Sequence, residues 1–259
     1  MNNICSHAIL RENNEIFWIF LFKKVRKYEI HKFDYDMNHL MKYDLPEYDL
    51  PENFYLNGLF LNENTKHLFA TNSKNIYEFN YNGELISKKN IDFSISCSKS
   101  LNENMLFGAS SGFLYLNDKL VNSNNNICNR EKILRIQIDD NLIYLIRKAD
   151  AWEVGASTVD CDVLNMEFKK IYKISSVTDL IPLKNNIIYV YNNSSLCSID
   201  KKTGEEKKID CHLSSSLNLT KIDEEHFVRA CFGQYIFYNS NLEIIKKIEA
   251  PAYSGMEKL

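Results

Sequence analysis

Basic residues with an interleaved tyrosine form the stretch of the chain with the clearest potential for binding chemistry. They lie in the sequence KKVRKYEIHK, directly after an apolar aromatic segment. Lysine and arginine neutralise phosphates, and a tyrosine ring can stack on a nucleobase. The stretch predicts a contact with nucleic acid or a partner through Lys23, Lys24, Arg26, Lys27, Tyr28 and Lys32. A solvated turn between two strands is the simpler interpretation of the same charges.

Two other stretches have the composition of a protein-binding surface. The acidic, proline-stiffened sequence KYDLPEYDLPENFYLN predicts partner contacts through Tyr43, Tyr48 and Leu50. The C-terminal sequence APAYSGMEKL predicts further contacts through Tyr253 and Met256. The alternatives are a connector that packs onto its own domain and a free tail.

Residues suited to catalysis or metal binding are scattered. Cys5 with His7, and Cys211 with His212, could each offer two metal ligands, but no second pair has suitable spacing. Nucleophile-elbow, phosphate-loop and zinc-protease motifs are missing from the sequence. We therefore expect no catalytic residue, metal or cofactor. A hydrolase or lyase remains an alternative if acids converge, the candidates being Glu29, Asp92, Asp139, Asp140, Asp179 and Asp223.

Composition limits the compartment and the class of partner. The formal net charge of -3 gives no global attraction to nucleic acid or to anionic membranes. The 7 cysteines lack C-x-x-C spacing, which predicts free, buried thiols in a reducing compartment. The start of the chain lacks signal-peptide features, and the longest apolar run, Ile16 to Phe22, is too short to span a bilayer. We expect a cytoplasmic protein without membrane contact, the nucleus being the alternative.

The elements that would position these candidate residues are short apolar segments of the chain. They are rich in Ile, Tyr, Phe and Val and are bounded by Asn, Asp, Ser and Gly, which is typical of β-strands. A strand, an Asx or Gly turn and a lysine-rich strand recur about every 40 residues, the length of a four-stranded propeller blade. We predict an all-β chain with a single closed β-propeller over residues 1–249 and a tail over residues 250–259. Six blades are favoured over seven, and a sandwich or barrel is the alternative fold.

The turn before each lysine-rich strand begins with Asp or Asn, at Asp34, Asn80, Asp200 and Asn239. This side chain is expected to accept a backbone N–H, while Gly or Asn takes the positive φ. Lysine pairs on or beside the fourth strands are expected to protect exposed sheet edges, and they are Lys88-Lys89, Lys169-Lys170, Lys207-Lys208 and Lys246-Lys247.

The fourth predicted blade is less regular than the others. Its outer two strands are predicted at Ala151–Gly155 and Phe168–Lys173, which leaves Gly155–Glu167 as an inserted loop on the propeller rim. Val121–Glu131 is a second polar loop. Such loops carry function at little cost to the scaffold.

On this four-strand rhythm the chain resembles degenerate WD-repeat (WD40-like) β-propellers over nearly its whole length. The family's Gly-His and Trp-Asp dipeptides are missing, since neither Trp18 nor Trp152 precedes Asp. The segment LCSIDKKTGEEKKI also resembles quinoprotein-type repeats through its Asp-x-x-Thr-Gly turn. The resemblance implies a non-catalytic interaction scaffold in a larger cytosolic or nuclear assembly. The alternative is a ribosome- or RNA-associated factor that occupies a functional site through its loops and the basic stretch.

Overall fold

Twenty-four β-strands account for most of the part of the chain that the structure, a computed structural model, describes. The described residues are 3–10, 13–22, 27–43, 58–62, 65–101, 104–117, 119–121, 132–139, 141–148, 159–192, 195–210, 219–231 and 234–249.

The strands form six four-stranded sheets, here called blades 1 to 6, and strands that follow one another in the chain are hydrogen-bonded neighbours. Blade 1 contains β1 (Asn3–Leu10), β2 (Glu15–Phe22), β3 (Lys27–Asp34) and β4 (His39–Tyr43). Blade 2 contains β5 (Gly58–Asn62), β6 (His67–Thr71), β7 (Asn75–Phe79) and β8 (Leu85–Asn90). Blade 3 contains β9 (Ile95–Leu101), β10 (Asn104–Ala109), β11 (Leu114–Leu116) and β12 (Lys119–Leu120).

The remaining three blades repeat this order. Blade 4 contains β13 (Lys132–Ile138), β14 (Leu142–Lys148), β15 (Val159–Asn165) and β16 (Lys170–Ser175). Blade 5 contains β17 (Val177–Pro182), β18 (Asn186–Tyr191), β19 (Ser195–Asp200) and β20 (Glu206–Asp210). Blade 6 contains β21 (Leu219–Lys221), β22 (His226–Cys231), β23 (Gln234–Asn239) and β24 (Ile244–Glu249). The predicted all-β fold of six four-stranded propeller blades is confirmed.

The chain divides into two compact units, Met1–Val177 and Thr178–Leu259. In the first unit, the first strands of successive blades lie side by side, β1 beside β5, β5 beside β9 and β9 beside β13. The second unit contains blades 5 and 6. The predicted boundary between a propeller and a tail at residue 249 stays a prediction, because residues 250–259 lie outside the described residues.

The hydrophobic core lies between blades. Phe17 and Ile30 of blade 1 pack in one cluster with Leu68 and Phe79 of blade 2. Similar clusters join blades 2 and 3, blades 3 and 4, and, in the second unit, blades 5 and 6. Each blade therefore depends on a neighbour to bury its faces.

The fourth blade corrects the sequence prediction. Its third strand is Val159–Asn165, so the predicted rim loop Gly155–Glu167 is wrong over most of its length, and the predicted strand Ala151–Gly155 lies outside the described residues. The fourth strand is Lys170–Ser175 rather than Phe168–Lys173. Most residues of the polar loop Val121–Glu131 lie outside the described residues.

A candidate interaction surface on the outer strands

The fourth strand of each blade is the last in its sheet, so one backbone edge has no strand neighbour among the described residues. All four predicted lysine pairs lie on or beside these strands. In β8 every residue is exposed, and in β24 only Ile248 is partly covered. Lysines on an edge discourage uncontrolled strand pairing.

One type of turn, in which an Asn or Asp side chain accepts backbone N–H groups, leads into four of these strands. Asn80 Oδ1 accepts the backbone N–H of Asn82 at 3.0 Å and of Glu84 at 2.9 Å. Asn165 and Asn239 accept the same pair of bonds, from the backbone N–H groups two and four positions later. Asp34 accepts the bond from the N–H four positions later. The predicted Asx turns at Asp34, Asn80 and Asn239 are thus confirmed, and Asn165 is an additional one. The predicted turn at Asp200 is also confirmed, with Oδ1 accepting the N–H groups two and three positions later.

The residue three positions after the Asx has a positive φ in these four turns. Gly83 (φ 84°) fulfils the expectation that Gly or Asn takes this position, but the others are Met37 (68°), Phe168 (62°) and Leu242 (65°). Met37 and Leu242 are buried, and Phe168 packs against the core of blades 3 and 4. Burial of these side chains compensates a conformation that costs a non-glycine residue about 1 kcal/mol.

Each of the four turns is followed by a β-bulge whose extra residue is a large exposed aliphatic. In blade 2, Leu85 lies opposite Phe79 and Ser87 opposite Glu78, so Ile86 is the extra residue. The register shifts in blades 1, 4 and 6 place Leu40, Ile171 and Ile245 at the same position. The exposed fractions are 46% for Leu40, 49% for Ile86, 54% for Ile171 and 55% for Ile245. We call these four side chains the bulge aliphatics. They were not predicted from the sequence, although each lies six residues after the Asn or Asp of its turn.

Charges beside the bulge aliphatics differ between blades. In blade 4, Lys170 Nζ lies 2.5 Å from Asp162 Oδ1, and Lys173 Nζ lies 2.5 Å from Asp160 Oδ2. In blades 2 and 6 the lysines lie over rings, with Lys88 Nζ 5.8 Å from the Tyr77 centroid and Lys246 Nζ 5.9 Å from that of Phe237.

The predicted basic stretch is partly outside the described residues. Lys23, Lys24 and Arg26 lie there, and Lys27 and Tyr28 are described only as backbone of β3. Lys32 is buried, with Nζ 3.5 Å from Glu15 Oε1 and 4.0 Å from the centroid of the Tyr81 ring. Including Lys32 in a contact surface was wrong, because its charge is used inside the interface of blades 1 and 2.

Of the predicted protein-contact residues, only Tyr43 is described. It is buried in the core of blades 1 and 2, where its hydroxyl donates to the Tyr81 carbonyl at 3.1 Å. Burial raises the pKa of Tyr43. The expectation of a partly exposed Tyr43 was therefore wrong. Tyr48, Leu50, Tyr253 and Met256 lie outside the described residues, and their contacts stay predictions.

A titratable cluster occupies the β3–β4 hairpin. His31 Nε2 lies 2.9 Å from Glu29 Oε2, and His31 Nδ1 lies 2.9 Å from His39 Nε2. Burial lowers the pKa of His31 more than the Glu29 carboxylate raises it. Burial alone would raise the pKa of Glu29, but hydrogen bonds from His31 and Lys42 bring it below its ordinary value. The cluster favours a neutral His31 beside an ionised Glu29.

Other acids from the hydrolase alternative have local structural partners. Asp139 accepts the N–H groups of Asn141 and Leu142, and Asp223 accepts those of Glu225 and His226. Asp179 is buried and accepts the N–H of Leu219 at 2.7 Å. Asp92 is exposed, and Asp140 lies outside the described residues. Asp139, Asp179 and Asp223 thus serve turns and strand ends.

The described cysteines fit the predicted free, buried thiols. Cys97, Cys161 and Cys197 are free and buried. Burial raises the pKa of Cys97 to about 12 and that of Cys197 to about 11, and it also raises the pKa of Cys161. These three thiols are therefore protonated at neutral pH. Among the described residues, no three His, Cys, Asp or Glu side chains are grouped to hold a metal ion.

None of the described segments is a helix long and apolar enough to cross a membrane.

Known proteins resemble the chain in structure only. No family model and no curated protein sequence matches it. The WD40 domain of Neurospora crassa Pan2 superposes with a TM-score of 0.57 at 7% identity, covering 88% of this chain and 86% of that one. The β-propeller domain of Cps50 (Swd1) from Myceliophteria thermophila gives 0.61 at 7% identity, covering 96% and 86%. KlHsv2 with its loop 6CD replaced by a Gly-Ser linker gives 0.60 at 9% identity, covering 97% and 100%. The chain therefore has the fold of a WD40-type β-propeller with six blades.

Proposed function

We propose that this protein is a non-catalytic interaction scaffold that binds protein partners within a larger cytosolic or nuclear assembly. The observation that carries the proposal is the exposure of the bulge aliphatics, which lie on sheet edges in four of the blades. A soluble protein gains nothing from large aliphatic side chains in water, whereas a partner that covers them releases the ordered water around them. The WD40-type fold is consistent with a binding role, but fold alone does not assign one.

The test compares the proteins retained by three purified forms from an extract of cells that express the protein. The forms are the wild type, the triple variant Ile86→Thr, Ile171→Thr, Ile245→Thr, and the control Met166→Gln. Threonine keeps the β-branched shape and removes most of the apolar surface, and Met166 is exposed in a turn rather than on an outer strand. We expect a defined set of proteins to be retained by the wild type and the control and lost with the triple variant, as quantified by mass spectrometry. Equal retention by all three forms would contradict the proposal.

The alternative of a ribosome- or RNA-associated factor depends on Lys23, Lys24, Arg26 and Lys27, since Lys32 is buried. Changing these four residues to Glu should abolish co-sedimentation with ribosomes if the alternative holds. Unchanged co-sedimentation, or none with the wild type, removes it.

A further inference from the structure

Arg229 on β22 has one of the two largest side chains that the structure buries completely, with 1% of its surface exposed. Two of its guanidinium nitrogens, Nε and Nη1, are buried and have no hydrogen-bond partner among the described residues. A guanidinium group stays charged in proteins and offers five N–H donors but no acceptor. Because a buried charge without hydrogen bonds is costly, Arg229 requires a negatively charged acceptor from elsewhere.

The Arg229 side chain lies on the face of blade 6 that packs against blade 5. Its cross-strand neighbours are Leu219 on β21 and Ile236 on β23, and directly opposite residues of antiparallel strands project from the same face of a sheet. Leu219, Ile236 and Phe227, two residues before Arg229, all belong to the hydrophobic cluster that joins the two blades. The charge is therefore flanked on its own sheet by apolar side chains, which cannot compensate it.

Asp179 on β17 is a buried acid that contacts the strand end opposite Arg229, but it bonds to backbone there. Its Oδ1 accepts the N–H of Leu180 at 2.8 Å, and its Oδ2 accepts that of Leu219 at 2.7 Å. It makes no hydrogen bond to Nε or Nη1 of Arg229.

Arg147 on β14 shows what a buried arginine of this chain otherwise has. It is also 1% exposed, and its Nε lies 3.3 Å from Asp162 Oδ2. Among the described residues, the guanidinium nitrogens Nε and Nη1 of Arg229 lack such a carboxylate. The same residue type at the same degree of burial is thus compensated within blade 4 and not within blade 6.

The position of Arg229 also gives a small ligand a way in. Arg229 is the third residue from the end of β22, and Leu219 opposite it is the first residue of β21. The residue therefore lies near one end of its sheet, where a small group can reach the guanidinium without separating the strands.

We propose that Arg229 binds a small oxyanion, a phosphate or carboxylate group, between blades 5 and 6. Both groups present oxygen acceptors that match the fork of a guanidinium, and their negative charge offsets its positive charge. At 1% exposure the guanidinium is accessible to a group of this size and not to a protein surface. This site does not depend on the proposed scaffold function, so the failure of one leaves the other standing.

The test follows thermal denaturation of the full chain as inorganic phosphate or acetate is added at constant ionic strength. We expect a saturable rise of the midpoint, by about 5 °C when the anion is at about 100 times its dissociation constant. A rise with phosphate alone assigns a phosphate group, a rise with acetate alone assigns a carboxylate, and a rise with both assigns a site for either. No saturable rise with either anion would overturn the proposal.

Arg229→Met is the test variant, because methionine is a flexible apolar side chain that fills irregular space without a charge. After dialysis into chloride buffer, it should be at least as stable as the wild type, since it removes a buried charge without a described partner. It should lose the response to the anion. Lys202→Met removes an exposed charge of blade 5 and should keep that response. An equal response in Arg229→Met and the wild type would contradict the site.

Two further results decide whether the partner is an added anion. If Arg229→Met is much less stable than the wild type in chloride buffer, the chain itself supplies a partner for Arg229, and the proposal is wrong. Equilibrium dialysis with the radiolabelled anion should find one site per chain in the wild type and none in Arg229→Met. Equal binding to both forms would place the anion elsewhere and would also overturn the proposal.

Discussion

Single residues on the β3–β4 hairpin couple the stability of blade 1 to pH. His31 is buried between Glu29 and His39, and its pKa is lowered mainly by burial. In the unfolded chain the imidazole takes up a proton at about pH 6.5, whereas folded His31 stays neutral at that pH. Unfolding is therefore accompanied by proton uptake, and it becomes more favourable as the pH falls. The contribution of His31 is therefore complete above about pH 6.5 and is lost as the pH falls toward its folded pKa. The lowered pKa of Glu29 acts in the same direction at more acidic pH, below about 4.5.

Replacing His31 with Gln should reduce the pH dependence of stability. We expect the free energy of unfolding of the wild type to fall between pH 7.5 and 5.5, and the fall to be smaller in His31→Gln, as measured by urea denaturation at both pH values. His226→Gln serves as the control, because His226 is the first residue of β22 and its side chain is half-exposed. An equal fall in His31→Gln and the wild type would show that His31 is not the group responsible.

Gly108 on β10 is required by packing rather than by backbone conformation. A Cβ at this position would lie 2.7 Å from Cys97 Sγ and 2.7 Å from Ile133 Cγ2, both on other strands. We expect Gly108→Ala to destabilise the protein by about 1–3 kcal/mol through overpacking. Gly204→Ala is the comparison, since its Cβ would meet nothing within 4 Å and only the positive φ opposes it. Thermal denaturation should rank Gly108→Ala as the more damaging change, and the reverse order would contradict the packing argument.

At the scale of elements, the Asx turn is the unit that repeats. The Asn80 side chain holds two backbone N–H groups and thereby sets the turn, the positive φ of Gly83 and the bulge at Ile86. We expect Asn80→Ala to lower the free energy of unfolding by about 1 kcal/mol, the net value of such hydrogen bonds at an exposed site. Asn82→Ala, an exposed change in the same turn, should have little effect. If urea denaturation finds both variants equally stable, the side-chain bonds of Asn80 do not set the turn.

The elements were largely predictable because their determinants are local. Apolar runs of strand length and an Asx at each turn recur with a regular spacing, and these define six blades without knowledge of tertiary contacts. The third strand of blade 4 was placed wrongly because the alternate aspartates of β15 suggest a polar loop. Asp160 and Asp162 are instead accommodated in a strand by Lys173, Lys170 and the buried Arg147, contacts that the sequence does not display.

The candidate surface was predicted less well than the fold for a related reason. A sequence shows that Lys32 is basic but not that Glu15 binds it inside an interface of two blades. Conversely, Ile86 and Ile245 are residue types typical of a core, yet they are exposed on outer strands that are the last in their sheets. Hydrophobic periodicity shows neither that a strand is the outermost of its sheet nor where a bulge inserts a residue.

For the molecule as a whole, the core is a series of interfaces between blades. Phe227 of β22 is fully buried in a cluster that also contains Ile188 and Leu196 of blade 5. A cavity there removes contacts from both blades, so neither can keep its protection alone. Phe227→Leu should lower the free energy of unfolding by about 1–3 kcal/mol.

Native-state hydrogen exchange locates this effect. In Phe227→Leu, amides of blades 5 and 6 should exchange faster together, and by more than those of blades 2 and 3. Phe113→Leu makes the same chemical change at a partly exposed site in blade 3 and should leave blades 5 and 6 protected. Faster exchange confined to β21–β24 would mean that blade 6 has a core of its own. Blades 5 and 6 should lose protection from exchange together if burial between the two blades, rather than hydrogen bonding within each sheet, stabilises the second unit.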